Sequence, residues 1–127
     1  MITCTFEDGG SAKLRHAVTD VILVKDGKIL LVQRAARLVE GGKWAFPAGY
    51  LDRDETVMQA AKREVLEETG WKLTDLTLFM VADGPQPGDR GRQNISFIFT
   101  ATATEKVGEA DDESEDVQWF PLDYLPP

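Results

Sequence analysis

Thr56-Val-Met-Gln-Ala-Ala-Lys-Arg-Glu-Val-Leu-Glu-Glu-Thr-Gly70 carries the grammar of one helix from start to stop. Thr56 and Gln59 match a capping box, in which a hydroxyl and a side-chain amide satisfy the amides left open at a helix start. Neither Gly nor Pro interrupts Val57 to Thr69, and Gly70 stands where a left-handed cap would end the helix. At about 100° per residue, Met58, Ala61, Val65 and Thr69 form a stripe expected to face the core. Glu64, Glu67 and Glu68 share a neighbouring stripe, along the edge of that buried face.

Those three acids break two rules of helix electrostatics. Glu64 and Glu68 are like charges at i,i+4, a spacing where repulsion costs a few tenths of a kcal/mol. Glu67 and Glu68 also sit in the last turn, where the helix dipole disfavours negative charge. Arg63 relieves Glu67 in part but cannot neutralise three acids. Local rules that fail together mark a candidate functional site, and clustered carboxylates suit Mg²⁺ or Mn²⁺. The plain alternative is a solvated acidic face, common in acidic proteins.

Working outward, Ala17–Val24 and Ile29–Gln33 are rich in β-branched and aliphatic residues and flank Asp26-Gly27, a hairpin signature. Trp44-Ala45-Phe46 reads as a short strand before Pro47. Leu73–Val81 and Ile95–Thr104 are further strand candidates, split by a loop rich in Gly, Pro and Asp. Val117–Phe120 reads as a last strand closed by Pro121. Strands on both sides of a central helix predict a mixed α/β or α+β fold. With no internal repeat or linker, residues 1–127 read as one domain.

Composition narrows the function classes. The net charge of −8 argues against a protein that grips a nucleic-acid backbone through a broad basic face. It leaves room for a small phosphorylated ligand if metal ions cancel local charge. The apolar runs are too short to span a bilayer, and the N-terminal residues lack the pattern of a secretory signal. A cytoplasmic location and no membrane partner are therefore expected. Cys4 is the single cysteine, so no internal disulfide is available.

Read from Gly49, the chain runs Gly49-Tyr-Leu-Asp-Arg-Asp-Glu55, then seven residues, then Arg63-Glu-Val-Leu-Glu-Glu-Thr-Gly70-Trp71. This resembles the Nudix box, G-x5-E-x7-R-E-U-x-E-E-x-G-U, with U a bulky aliphatic residue. Gly49, Glu55, Arg63, Glu64, Glu67, Glu68 and Gly70 match its fixed positions. Val65 suits the first U, and Trp71 departs from the aliphatic norm at the second. Gly42-Lys-Trp-Ala-Phe-Pro-Ala-Gly49 is similar to the family's G-x-W-x-x-P-G-G lead-in, with Ala48 replacing a glycine. Val117 to Pro126 resembles the closing strand and turn of many members. The resemblance implies an α/β/α sandwich around a mixed sheet, although the usual C-terminal helix is not evident before Pro127.

It also implies a chemistry: hydrolysis of a diphosphate bond in a nucleoside diphosphate linked to another group, with ADP-ribose or a nucleotide sugar favoured. Glu64, Glu67 and Glu68 match the metal-binding acids for Mg²⁺, with Mn²⁺ as a substitute, and Gly49 frees backbone close to metal or phosphate. Arg63 and Glu55 match residues that orient the ligand carboxylates. The general base is either Glu64 or a loop acid, Glu113 or Glu115. Arg34, Arg37, Arg90 and Arg92 are candidate partners for phosphate or ribose, and Tyr50 is a candidate for stacking on a base. The expected partner is a small-molecule nucleotide, with a homodimer suggested by family habit. Two alternatives stay open: a housecleaning nucleoside triphosphate pyrophosphohydrolase, and a non-catalytic nucleotide-sensing module. An isopentenyl-diphosphate isomerase is disfavoured because its cysteine would have to be Cys4.

Overall fold

A computed structural model describes residues 1–38, 40–85 and 92–127. In chain order the elements are β1 (Ile2–Thr5), β2 (Ser11–Leu14), β3 (Ala17–Lys25), β4 (Lys28–Arg34), β5 (Trp44–Ala45), β6 (Ala48–Tyr50), α1 (Val57–Thr69), β7 (Trp71–Ala82), β8 (Ile95–Lys106) and β9 (Ser114–Pro121). The expected hairpin is β3–β4. Asp26 and Gly27 take φ of 52° and 76°, the left-handed pair that lets a two-residue turn follow the twist of its strands.

The main sheet runs β5-β4-β3-β8-β7, with β6 added to β3 and β9 to β4. β3 and β8 are parallel while β7 and β8 are antiparallel, so the sheet is mixed. Side chains alternate across a strand, which divides β3 between two faces. Val21 and Leu23 join Leu30, Phe99, Ala101 and Ala103 in the core beneath Ala61 and Val65 of α1. Asp20 and Ile22 therefore point to the opposite side. The mixed α+β architecture is the one expected. α1 provides one helical layer, and among the described residues no second helix lies on the other face. No helix there is long and apolar enough to cross a membrane.

Both ends of α1 form as the sequence predicts. Thr56 Oγ1 accepts from the Gln59 amide at 3.1 Å, and Gln59 Oε1 accepts from the Thr56 amide at 2.9 Å. The buried face differs from expectation. Ala60, Ala61, Val65, Glu68 and Thr69 are buried, whereas Met58 is 46% exposed. Two adjacent alanines let the helix lie close on the sheet, and the face in contact turns toward Ala60 and away from Met58. Glu68 consequently falls within the buried stripe, while Glu64 stays half-buried at its edge. β6 and the β1–β2 hairpin were not anticipated; they lack the length or the apolar runs that mark a strand.

Gly70 ends α1 at φ 78° and donates its amide to Leu66 O at 2.9 Å. Its own carbonyl accepts from Val107 at 2.8 Å and Gly108 at 3.2 Å, and a Cβ here would overlap the Gly108 carbonyl. Gly70→Ala should therefore lower unfolding free energy by about 2 kcal/mol or more, from left-handed strain plus the clash. Urea unfolding measures it; a change under about 0.5 kcal/mol would contradict this account of the cap.

Candidate active site

Strand β6, paired with β3 in the sheet and packed against α1, brings sheet and helix into one site. Thr19 of β3 stands opposite Gly49, and Asp20 opposite Ala48. Gly49 faces α1, where a Cβ would overlap the carboxyl group of Glu64. Only glycine leaves that space to the acid. One residue earlier, the Ala48 amide donates to Glu68 Oε2 at 2.9 Å. The turn preceding the helix thus touches two of the three acids directly.

Arg63 ties the rest together. Its Nε and Nη2 bind both oxygens of Glu55 at 2.8 and 2.9 Å. Nη1 donates to Glu64 at 2.7 Å and to Glu67 at 3.3 Å. Nη2 also donates to the Tyr50 carbonyl at 3.1 Å and lies 3.4 Å from Asp52. Glu55 in turn accepts from the Asp52 amide at 2.9 Å. Arg63 and that amide hold the Glu55 carboxyl down at about 2, so it stays ionised.

The two inner acids are shifted the other way. Glu68, only 6% exposed, is pushed up to about 8 by burial and by the charges of Glu64, Asp111 and Glu113, against the Ala48 hydrogen bond. Glu64 is raised by burial, with Glu67 and Glu113 adding to the effect and Arg63 opposing it. Acids pushed up by burial and by one another mark a place short of positive charge.

The space they border is a cavity of about 490 Å³, lined by Gly49, Tyr50, Arg63, Glu64, Glu67 and Glu68 among others. Of the remaining sequence candidates, Arg34, Arg92 and Glu113 line it too. Arg37 instead pairs with Asp112 at 3.2 Å on the surface. Glu115 lines a separate cavity beside Trp71 and Trp119. Arg90 lies outside the described residues. Asp20, Asp52, Asn94, Ser96 and Asp111 also line the active cavity, and sequence reasoning missed them. For Asp111 the signal lay in the acidic run 111–116, which reads as a solvated loop. Its amide donates to Glu67 O at 2.8 Å, and Ala35 donates to Glu113 O at 3.0 Å. The loop is thereby pinned between the end of α1 and the end of β4, and two of its acids, Asp111 and Glu113, border the cavity.

Because Glu68 has a folded-state pKa near 8 against an ordinary 4.5, its ionisation favours the unfolded chain. That cost is absent below pH 4.5, grows between pH 4.5 and 8, and is complete above pH 8. In chelator, Glu68→Gln should therefore raise the melting temperature at pH 8, with the gain vanishing toward pH 4. The gain corresponds to a stabilisation on the order of a few kcal/mol. A glutamine that destabilised equally at both pH values would contradict this reading. Gly49→Ala should displace Glu64 and cost activity together with about 1–3 kcal/mol of stability, measured by turnover and urea unfolding.

Comparison with known proteins accords with this geometry. The NUDIX domain model matches residues 13–127. The chain is 35% identical to an 8-oxo-dGDP phosphatase from Homo sapiens over 87% of its own length and 33% of that protein. It is also 35% identical to an ADP-ribose pyrophosphatase from Methanocaldococcus jannaschii, over 84% of this chain and 62% of the relative. The chain thus spans about a third of the first relative and under two thirds of the second. Among solved structures, a MutT NUDIX hydrolase from Burkholderia pseudomallei superposes with a TM-score of 0.79 at 32% identity, covering 91% of this chain and 89% of that one. Matched across most of its length by the family model and by a relative of this identity, the chain belongs to the NUDIX family.

Proposed function

We propose that this cavity hydrolyses a diphosphate bond in a nucleoside diphosphate linked to another group, with Mg²⁺ or Mn²⁺ bound at the acids of α1. The observation that carries the reading is the convergence of Glu64, Glu67 and Glu68 with Asp111 and Glu113 on one cavity that also holds Arg34 and Arg92. A fold has little reason to bury a carboxylate among four others unless a cation is to join them.

The residues present fit such a cation. Their donors are hard oxygens, and glycine at position 49 leaves room for the Glu64 carboxylate. Among the described residues no group of three or more His, Cys, Asp or Glu side chains is already arranged to hold a metal ion. Mg²⁺ asks for less than that, since it keeps several waters and binds through one or two carboxylates. When bound, the metal would offset charge on the diphosphate and lower the pKa of a coordinated water.

The chain's own groups divide the remaining work. Glu68 and Glu64 are the assigned ligands, and Glu67 adds negative charge at the cavity rim. Arg63 and Glu55 are positioning residues: their bidentate pair fixes the turn 49–55 against α1 and aims Glu64. Glu113, which borders the cavity from the loop pinned against α1, is the general base we assign to take a proton from the attacking water. Arg34 and Arg92 supply cations for the phosphate oxygens farther from the metal. The relatives that act on ADP-ribose and on 8-oxo-dGDP share a nucleoside diphosphate, which favours a substrate of that class. We favour the ADP-ribose or nucleotide-sugar type.

A phosphate-release screen with Mg²⁺ and with Mn²⁺ tests the proposal. Its substrates are ADP-ribose, nucleotide sugars, nucleoside diphosphates and triphosphates, and dinucleotides. Metal-dependent release of phosphomonoester from a nucleoside diphosphate derivative is expected, and Glu68→Gln should abolish it. Arg63→Ala should lower kcat by about 10- to 100-fold. Turnover confined to triphosphates would favour a housecleaning pyrophosphohydrolase. A folded protein that binds nucleotides but turns over none of the panel would favour a sensing module.

A further inference from the structure

The active cavity holds a carboxyl group on the sheet that the hydrolytic reading leaves unused. Asp20 lies on β3, opposite Ala48 of β6 and Ile98 of β8. Because Gly49 and Glu64 meet on the helix side of β6, Asp20 projects from the opposite side of the sheet. It nevertheless borders the same cavity, among Val18, Asn94 and Ser96. The cavity therefore has two acidic ends, one on α1 and one on β3.

The second end differs in kind. The Ser96 hydroxyl donates to the Asp20 carboxyl, while burial raises its pKa above the ordinary value. A carboxyl group has room for about four hydrogen bonds, so one serine leaves it able to accept more. A carboxylate at this end repels phosphate, which therefore stays with the metal acids and the arginines. What Asp20 can take from the substrate is therefore a part that carries donors and no negative charge.

We propose that Asp20, oriented by Ser96, reads the nucleoside end of the substrate by accepting two adjacent N–H or O–H donors, as presented by the guanine edge or by the ribose cis-diol. This assignment rests on the nucleoside diphosphate reading of the cavity. It adds a specificity determinant on the sheet, separate from the helix that carries the chemistry. A site built to receive donors discriminates strongly against a ligand that lacks them, because its own polar group is then left unpaired.

The test is binding of non-hydrolysable α,β-methylene diphosphates of guanosine, inosine, adenosine and 2′-deoxyadenosine. Calorimetry in Mg²⁺ compares the full chain with its Asp20→Asn and Ser96→Ala variants. Wild type should prefer guanosine over inosine, or adenosine over 2′-deoxyadenosine, by about 10-fold or more. The first preference assigns the base edge and the second the diol. Asp20→Asn, which sets an amide donor against the ligand's donors, should reduce that ratio to below about 3-fold. The disfavoured ligand and the Mg²⁺ half-saturation should barely move, and Ser96→Ala should shift the ratio in the same direction. Absence of either preference in wild type would overturn the proposal. So would an equal weakening of all four ligands in Asp20→Asn, or a raised Mg²⁺ requirement, which would make Asp20 part of the metal site. Because binding is read without turnover, a protein that shows the preference but hydrolyses nothing would refute the hydrolase reading alone.

Discussion

The guanidinium of Arg63 joins two pieces of chain that would otherwise repel or drift apart. On one side lies the turn carrying Tyr50, Asp52 and Glu55; on the other are Glu64 and Glu67 of the same helix. A planar fork with five donors can meet two oxygens of Glu55 side by side and still reach along the helix. A lysine offers one point charge and could not hold both. Since the Arg63 side chain is only 28% exposed, water competes weakly for these bonds, and the arrangement is more than a loose surface pair. The position of the turn then fixes β6, and β6 fixes where Glu64 and Glu68 stand relative to the sheet.

Much of this was legible in the sequence, because helix starts, helix ends and tight turns follow local rules. Thr56, Gln59 and Gly70 bound the helix without reference to the rest of the fold, and Asp26-Gly27 sets the hairpin in the same way. What escaped depends on distant chain. Met58 has the spacing of a core residue, yet the helix is turned by the close approach of Ala60 and Ala61. Asp20 lies in a strand whose pattern is apolar, and only pairing with β6 places it in the cavity. Asp111 reads as one acid in a solvated run until backbone hydrogen bonds fold that run against the helix end. The box acids could be named because a fixed spacing marks them; the acids that face them come from elements with no such spacing.

The burial of Glu68 shows how stability and function pull apart in this helix. A leucine or methionine in its place would add apolar contact to a stripe that already contains Ala61 and Val65. Instead the position holds an acid that burial makes hard to ionise, with the Ala48 amide donating a hydrogen bond to it. The helix pays for this with its own alanines, which bring the backbone close enough for the core to seal around the acid. A helix that satisfied every local electrostatic rule would leave the cavity without carboxylates on that wall.

The two departures from the family pattern fall on opposite sides of this arrangement. Ala48 borders the active cavity, but the contact it makes with Glu68 runs through its backbone amide. A glycine at that position would offer the same donor, so the substitution changes the cavity wall and not the hydrogen bond. Trp71 is placed away from that cavity. Its ring packs edge-on against Trp119 of β9, with centroids 5.5 Å apart, and the Lys25 ammonium lies 5.8 Å from its centre. An indole buries more surface than an aliphatic side chain and prefers this T-shaped contact. The residue that breaks the aliphatic norm after α1 has thus been taken up by the closing strand, where it clamps β9 beside the helix end.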